Sequence, residues 1–314
     1  MSKLSYIARL LIVSPLVAAL MGLTGAATAA PETVRISGAW ALYPMVIKWA
    51  EVYRQANPKV RFDISAGGAG KGAADALSGL VDIGMVSRAI HPDEVKKGGW
   101  YVPVVKDAVF PTISSRNPWV KQLYATGIKR EILMGIWSQK ITNWSQVVAG
   151  ANAPLHVYTR SDACGAAETW AKYLGVKQEN LRGTAVYGDP GLAEAVRRDP
   201  YAIGYNNLNY CYDVRTSLPI AGLYVAPLDV NGNGKLDKGE AIYSSLSHIL
   251  RAVNEGRYPS PPARELNFLC KGKPAGAAAR FIRWVLTEGQ KYARSSGYVP
   301  LTSAHATAAL AKLD

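Results

Sequence analysis

The sequence predicts an α/β protein whose mostly parallel sheets are flanked by helices. Near the amino terminus, three strand-like segments each run into a turn of small residues, and two of these turns lead clearly into a helix. This order is typical of parallel sheets, in which a helix joins neighbouring strands. The 314 residues are enough for two packed lobes, and the extended segment 101–114 is of the kind that crosses between lobes.

Residues 1–29 have the pattern of a signal peptide that is removed on export. Lys3 and Arg9 give a basic start, residues 10–23 are apolar, and Ala27-Thr28-Ala29 fits a small-residue cleavage site. The apolar run is too short for a membrane anchor, and no later stretch approaches the roughly 18 apolar residues of a membrane span. We therefore expect a periplasmic protein that is cleaved near Ala29.

The charge distribution argues against nucleic-acid binding. The formal net charge is +13, but the basic side chains are scattered along the chain. A nucleic-acid-binding surface usually concentrates basic residues, often with aromatic residues between them. The positive excess attracts anions only diffusely, so we expect no nucleic-acid partner.

The predicted strands and helices alternate along most of the chain. Strands are predicted at residues 34–36, 60–64, 82–88 with its turn, 155–158, 202–207 and 266–270. Helices are predicted at residues 45–55, at an alanine-rich segment ending at Leu80, around 136–144, around Trp170, and at 188–198, 242–253, 277–292 and 303–313. Apolar positions alternate in the strands and recur three to four residues apart in the helices.

The turn after the second strand, residues 66–72, is rich in glycine. A nucleotide-binding P-loop places a serine or threonine directly after its lysine, whereas Gly72 follows Lys71 here. A P-loop is therefore not predicted.

Residues 158–170 form a strand-to-helix corner that is suited to an anion. Small residues there leave the first N–H groups of the helix free, and a helix amino terminus carries partial positive charge. Arg160 adds a planar set of donors for an oxyanion, and Asp162 could hold that side chain in place. The alternative is an ordinary helix cap at Ser161 or Asp162.

The cysteines indicate an oxidising compartment. Cys164, Cys211 and Cys270 predict one disulfide and one free thiol, and three pairings are possible. No metal-binding cysteine spacing is present, and the four histidines are isolated.

Six segments occur in the same order as in a known family. They are residues 37–44, 67–72, 82–88, 137–144, 160–165 and 202–205. They resemble the phosphate-binding proteins of bacterial phosphate ABC transporters, within the type II periplasmic solute-binding protein superfamily. The resemblance implies a discontinuous lobe 1 at 30–112 plus 266–314 and a lobe 2 at 113–265. The ligand would bind in the cleft between the lobes, which would close around it.

The resemblance also implies which residues line the cleft. Arg160 matches the family's arginine, and Asp162 matches its supporting acid. Ser87 falls at the position of the cleft acid or its serine substitute, and Arg88 follows it. The expected backbone donors are Leu42, Tyr43, Gly165 and Ala166.

This chain departs from the family pattern at several cleft positions. Apolar or thiol side chains replace hydroxyl groups that are common in the family, at Leu42, Ala69, Cys164 and Ala166. Each lost hydroxyl removes a donor that contributes about 1 kcal/mol. We expect Glu168 near the helix start to repel an anion, the alternative being that it serves only the helix dipole, and Trp40 stands where the family often has a small residue.

We therefore expect a monomeric binding protein, not an enzyme, that captures phosphate or a related oxyanion for an ABC permease in the inner membrane. The alternatives are a different organic or phosphorylated ligand, and a sensor or scavenger without a transport role. A further alternative is a cysteine-dependent hydrolase, because a helix start stabilises the Cys164 thiolate. The family resemblance puts Cys164 and Cys211 after cleft strands, which makes them the expected disulfide pair, and the alternative is an inert thiol at Cys164.

A second motif, residues 229–240, matches a twelve-residue calcium loop. The expected ligands are Asp229, Asn231, Asn233, the carbonyl of Lys235, Asp237 and Glu240. Calcium requires this density of hard oxygen ligands, and the motif also has glycine at its sixth position. The alternative is an ordinary turn rich in asparagine and glycine. No helix is predicted before the loop, so we expect a structural calcium ion and not a sensor.

Overall fold

The computed structural model describes residues 32–314, and the predicted signal peptide lies outside them. The α-helices are α1 (Tyr43–Ala56), α2 (Ala69–Ser78), α3 (Pro92–Lys96), α4 (Val120–Thr126), α5 (Arg130–Trp137), α6 (Gly165–Leu174), α7 (Gly188–Arg198), α8 (Leu246–Asn254), α9 (Gly276–Leu286) and α10 (Ser303–Ala311). The strands are β1 (Glu32–Gly38), β2 (Val60–Ala66), β3 (Ile83–Val86), β4 (Gly99–Ser114), β5 (Ile128–Lys129), β6 (His156–Arg160), β7 (Thr184–Val186), β8 (Ala202–Asn207), β9 (Leu223–Val225), β10 (Leu228–Asp229) and β11 (Ala263–Lys271).

The predicted α/β architecture is confirmed. One nine-stranded sheet has the order β2-β1-β3-β11-β4-β8-β6-β7, with β9 paired to β4. Strand β1 is parallel to β2 and β3, and β6 is parallel to β7 and β8. Strands β11 and β4 are antiparallel to their neighbours. The two ends of the sheet are therefore parallel, and two antiparallel strands join them.

Within residues 32–314, two large hydrophobic cores and one small cluster (Val196, Ala202 and Leu223) lie along this sheet. The first core includes Trp49 and Phe281, and the second includes Trp137 and Trp170. We call the parts of the molecule around them the first half and the second half. Both cores are rich in aromatic side chains, whose burial supplies much of the apolar stabilisation. The lobe boundaries inferred from the family resemblance remain a prediction.

Strands β4 and β11 run from one core to the other. The side chains of Val102 and Val105 in β4 belong to the first core, and those of Val109 and Ile113 belong to the second. Strand β11 makes the reverse passage, because Ala263 lies in the second core and Leu266 onwards in the first. The segment 101–114 was predicted to cross between lobes, and it joins the two cores.

Some helices end earlier or begin later than the apolar pattern predicts. Helix α8 begins at Leu246 and not at Ile242, because Ser245 caps it by accepting a hydrogen bond from His248 N–H at 3.4 Å. Helix α9 ends at Leu286, and a short 3-10 turn covers Glu288–Tyr292. Within residues 32–314, no helix has both the length and the apolar character needed to cross a bilayer.

The predicted disulfide between Cys164 and Cys211 is wrong. Cys164, Cys211 and Cys270 are all free and buried. The Cys164 sulfur caps α6 by accepting a hydrogen bond from Ala167 N–H at 3.4 Å. The Cys211 thiol donates to the carbonyl oxygen of Asn207 at 3.4 Å. The sulfurs of Cys164 and Cys211 are thus held by backbone groups of their own segments, which cysteine number and spacing alone do not reveal.

The thiol content of the protein is a direct check of this correction. We expect a thiol reagent to titrate three groups in denatured, unreduced protein and almost none in native protein at pH 8, because burial raises the pKa of Cys164 and Cys270 to about 12 and that of Cys211 well above its usual value. If only one thiol reacts after denaturation without reductant, the protein contains a disulfide and this correction is wrong.

Candidate functional site

Arg160, the last residue of β6, has no exposed side-chain surface. Its Nε and Nη2 donate to the two carboxylate oxygens of Asp162 at 2.7 and 2.6 Å, so the predicted support by Asp162 is present. Burial by itself would lower the pKa of Arg160, but the charges of Asp189 and Asp162 outweigh it and raise the pKa overall. The guanidinium is therefore charged at any physiological pH.

A second acid, Asp189, also holds Arg160. It lies in the first turn of α7, and its Oδ2 accepts from Arg160 Nη1 at 2.5 Å. Its Oδ1 accepts from the backbone and side-chain amides of Asn207 at 3.2 and 2.8 Å. Arg160 thus donates three side-chain hydrogen bonds within residues 32–314, and about two of the five N–H groups of an arginine are left without a protein acceptor there.

The amino terminus of α6 follows this arginine directly. In the described part of the chain, the N–H groups of Gly165 and Ala166 have no protein acceptor. Gly165 packs against Ser87 so closely that a Cβ on it would lie 2.2 Å from the Ser87 carbonyl oxygen. A side chain larger than hydrogen cannot be accommodated there, and this contact brings the first and second halves together beside the free amides.

The start of α2 makes another contact with the second half. Gly70 N–H donates to the carbonyl oxygen of Ala163 at 3.0 Å, so this amide is capped by the protein itself. A Cβ on Gly70 would lie 2.8 Å from the Ala163 methyl group. Ala69, predicted at a ligand position, is fully buried next to this contact. In this conformation the first turn of α2 contacts the second half of the protein, so Gly70 N–H is not free to bind a ligand.

The predicted backbone donors at Leu42 and Tyr43 are already engaged. Leu42 N–H donates to the carbonyl oxygen of Ala39 at 3.0 Å, and Tyr43 N–H donates to the same oxygen at 3.1 Å. These bonds form the turn that leads into α1. Any ligand contact of either amide requires this turn to open.

Arg88, the other predicted basic residue, is paired with two acids. Its guanidinium forms two hydrogen bonds to the Glu94 carboxylate, at 2.9 and 2.7 Å, and Nε lies 3.1 Å from Glu168. Glu168 in turn lies 3.0 Å from His91. The acid that was expected to repel an anion therefore joins α6 to the first half by an ion pair with Arg88 and a contact with His91. Arg88 is committed to this contact.

Asp107 and Arg264 form a further buried pair that the sequence did not indicate. Asp107 Oδ2 and Arg264 Nη1 are 3.7 Å apart, and neither atom has a hydrogen-bond partner in residues 32–314. Burial raises the pKa of Asp107 to about 6 and lowers that of Arg264. The pair lies near the predicted cleft, because Arg264 Nε donates to the carbonyl oxygen of Ser87 at 3.0 Å.

The calcium-loop residues also converge, with Asp229 buried below them. Asp229 Oδ2 accepts from Gly234 N–H at 2.7 Å, and Asp237 Oδ2 accepts from the amides of Asn231 and Asn233 at 2.7 and 2.8 Å. Glu240 folds back onto Val230 N–H at 2.8 Å. Across residues 32–314 no three His, Cys, Asp or Glu side chains form a metal-sized group, so a cation here would depend on amide and carbonyl oxygens as well.

Several residues of the site were missed because their signals are weak. Asp189 belongs to the helix opening at residues 188–191, and Asn207 ends a predicted strand, so the rule that ligands gather at the carboxyl ends of parallel strands could have found both. Arg264 and Asp107 have no comparable signal. Each is a charged residue beside a long apolar run.

Residues 25–288 match a family model described as a PBP superfamily domain. A phosphate-binding protein PstS of Xylella fastidiosa is 26% identical over an alignment 312 residues long, gaps included, which covers 86% of this chain and 82% of the relative. The SphX protein of Synechococcus elongatus is 28% identical over 295 residues, which cover 90% of this chain and 82% of the relative.

A solved structure supports the same fold. A Clostridium perfringens protein that was crystallised with bound phosphate superposes with a TM-score of 0.71 at 23% identity, covering 86% of this chain and all (100%) of the other. The match of the family model extends over most of the chain. This chain therefore belongs to the PBP superfamily.

Proposed function

We propose that this protein captures phosphate or a closely related oxyanion and delivers it to an ABC importer. The observation that carries the proposal is Arg160 at the end of β6, held rigid by two carboxylates directly before the unpaired amides of α6. Together, Arg160, Gly165 and Ala166 offer N–H donors at a helix amino terminus, which suits an anion. The names of the relatives support the same ligand class.

The charges around Arg160 favour an oxyanion that carries a proton. Three carboxylates, Asp107, Asp162 and Asp189, lie in or beside the cleft with two guanidinium groups, Arg160 and Arg264. The third guanidinium, that of Arg88, is already balanced by Glu94 and Glu168. A proton on the ligand can be donated to a carboxylate, whereas a fully deprotonated anion faces repulsion. We therefore expect phosphate to bind more tightly than sulfate.

The context of transport is part of the proposal. Residues 1–29 would direct export, and the mature protein would act as a monomer in the periplasm with a permease of the inner membrane. A cysteine-dependent hydrolase is disfavoured, because burial raises the pKa of Cys164 to about 12 and keeps its thiol protonated. A larger phosphorylated ligand or a sensing role would be distinguished by the ligand profile and by uptake measurements.

We also propose that residues 229–240 hold one structural calcium ion. Asp229, Asn231, Asn233, Asp237 and Glu240 would supply side-chain oxygens, and Lys235 would supply its carbonyl oxygen. The fit is supported by the side-chain oxygens of Asn231 and Asn233, which accept the N–H groups of Asn233 and Lys235 and are thereby held in place by the loop itself. Calcium would replace the amide donors that now contact Asp237.

Replacement of Arg160 tests phosphate capture. Arg160→Ala should remove most of the affinity, and Arg160→Lys should lower it about 10- to 100-fold, because hydrogen bonds to charged groups contribute about 1.5–3 kcal/mol. Calorimetry with phosphate and sulfate on protein freed of bound ligand measures this. Circular dichroism must first show that each variant folds, because Arg160→Ala leaves two buried carboxylates unpaired.

The matched control is Arg198→Lys, since Arg198 is an exposed arginine that pairs with Glu194 on α7. Its phosphate affinity should equal that of the wild type. Unchanged affinity in folded Arg160→Lys, or preferential binding of sulfate by the wild type, would contradict the proposed site.

Chelation tests the calcium loop. Saturating calcium at about a hundred times its Kd stabilises the folded state by about 2.7 kcal/mol, so a chelator should lower Tm by several degrees. The double change Asp229→Ala with Glu240→Ala should abolish the calcium-dependent part of Tm, whereas Lys235→Ala should retain it, because only the backbone of Lys235 would bind. An identical Tm for the wild type with calcium and with chelator would end the proposal.

A further inference from the structure

Arg264 lies where the two joining strands pass between the cores. It is opposite Asp107 in the register of β11 and β4, and the side chains are 9% and 1% exposed. An arginine is rarely buried to this extent unless several acceptors surround it. Its contacts therefore indicate what the side chain does.

Arg264 connects the first half to the second. Its Nε donates to the carbonyl oxygen of Ser87 at 3.0 Å, just after β3, and its Nη2 donates to Asn207 Oδ1 at the end of β8. The separation from Asp107 is longer, at 3.7 Å, and that carboxylate balances the charge without a hydrogen bond. The two hydrogen bonds thus orient the guanidinium, and one of them fixes Asn207.

The fixed Asn207 in turn determines the position of Asp189. A side-chain amide has one carbonyl oxygen and one NH₂ group, so an asparagine whose oxygen faces an arginine must direct its NH₂ elsewhere. Asn207 Nδ2 donates to Asp189 Oδ1 at 2.8 Å, and Asp189 Oδ2 accepts from Arg160 at 2.5 Å. The contacts form one continuous path from Arg264 through Asn207 and Asp189 to Arg160.

We propose that Arg264 is a positioning residue for the ligand-binding arginine, which it orients through Asn207 and Asp189 without contacting the ligand. The proposal rests on the proposed function of Arg160. If the proposal holds, ligand affinity depends on Arg264 in β11, which lies outside both the motif around Arg160 and the amino terminus of α6. Because Arg264 also bonds to Ser87, the orientation of Arg160 is linked to the contact between the two halves.

Calorimetry with inorganic phosphate tests the proposal on Arg264→Met, Arg264→Lys and Asn207→Ala. We expect Arg264→Met and Asn207→Ala each to weaken binding roughly tenfold and the double variant to be little worse than either, since both interrupt one path. Arg264→Lys should recover part of the affinity, because its ammonium group can still donate to Asn207. Arg130→Met is the control: Arg130 Nε donates to the Tyr173 carbonyl oxygen at 2.5 Å, so its loss should lower Tm without changing affinity.

Additive losses in the double variant, or an unchanged Kd in folded Arg264→Met, would overturn the positioning role. A crystal structure of Arg264→Met supplies a readout that does not depend on the ligand. The proposal expects Asp189 to turn away from Arg160, and an intact contact between them would refute it. Absence of phosphate binding by the wild type would instead refute the proposed function, and the crystal structure would still decide the role of Arg264.

Discussion

The pairing of buried Arg160 with Asp162 and Asp189 is the interaction on which the rest of the site depends. The three side chains are 0%, 6% and 1% exposed, so none of the charges is stabilised by bulk water. Removal of one partner from such a group is destabilising by about 3–5 kcal/mol. The fold therefore has to bring both carboxylates to Arg160, together with the amides that hold these carboxylates. Gly188 N–H, for example, donates to Asp162 at 3.2 Å.

This arrangement determines what kind of attraction the cleft can exert. Arg160 is already neutralised by two acids, so the local net charge does not draw an anion in. The overall charge of +13 acts only at long range and is weakened by salt. Close attraction must come from oriented N–H groups, whose dipoles are fixed before the ligand arrives and are strengthened where water is excluded. A preference for a protonated oxyanion follows from the same balance.

The predictions succeeded where the interacting residues are close in sequence. Arg160 and Asp162 lie two residues apart after a strand, so their contact could be inferred from local pattern. Asp189 is 29 residues from Arg160, and only the parallel arrangement of β6 and β8 brings its helix to the same edge of the sheet. Arg264 belongs to the other end of the chain. The predicted disulfide was wrong because the number of cysteines suggests an oxidised pair. In the structure the two sulfurs make separate backbone contacts, since Cys164 caps α6 and Cys211 donates to a carbonyl oxygen.

The contacts between the halves also explain why glycines stand at positions 70 and 165, next to positions expected to carry hydroxyl groups. Gly70 faces the Ala163 methyl group, and Gly165 lies against the Ser87 carbonyl oxygen, each at a separation that leaves no room for a side chain. Backbone can then approach backbone across the cleft, as in the bond from Gly70 N–H to Ala163. Main-chain donors do not depend on the identity of a side chain. The loss of hydroxyl groups at Cys164 and Ala166 therefore removes some of the donors but leaves the helix amino terminus and Arg160, which are the groups that recognise negative charge.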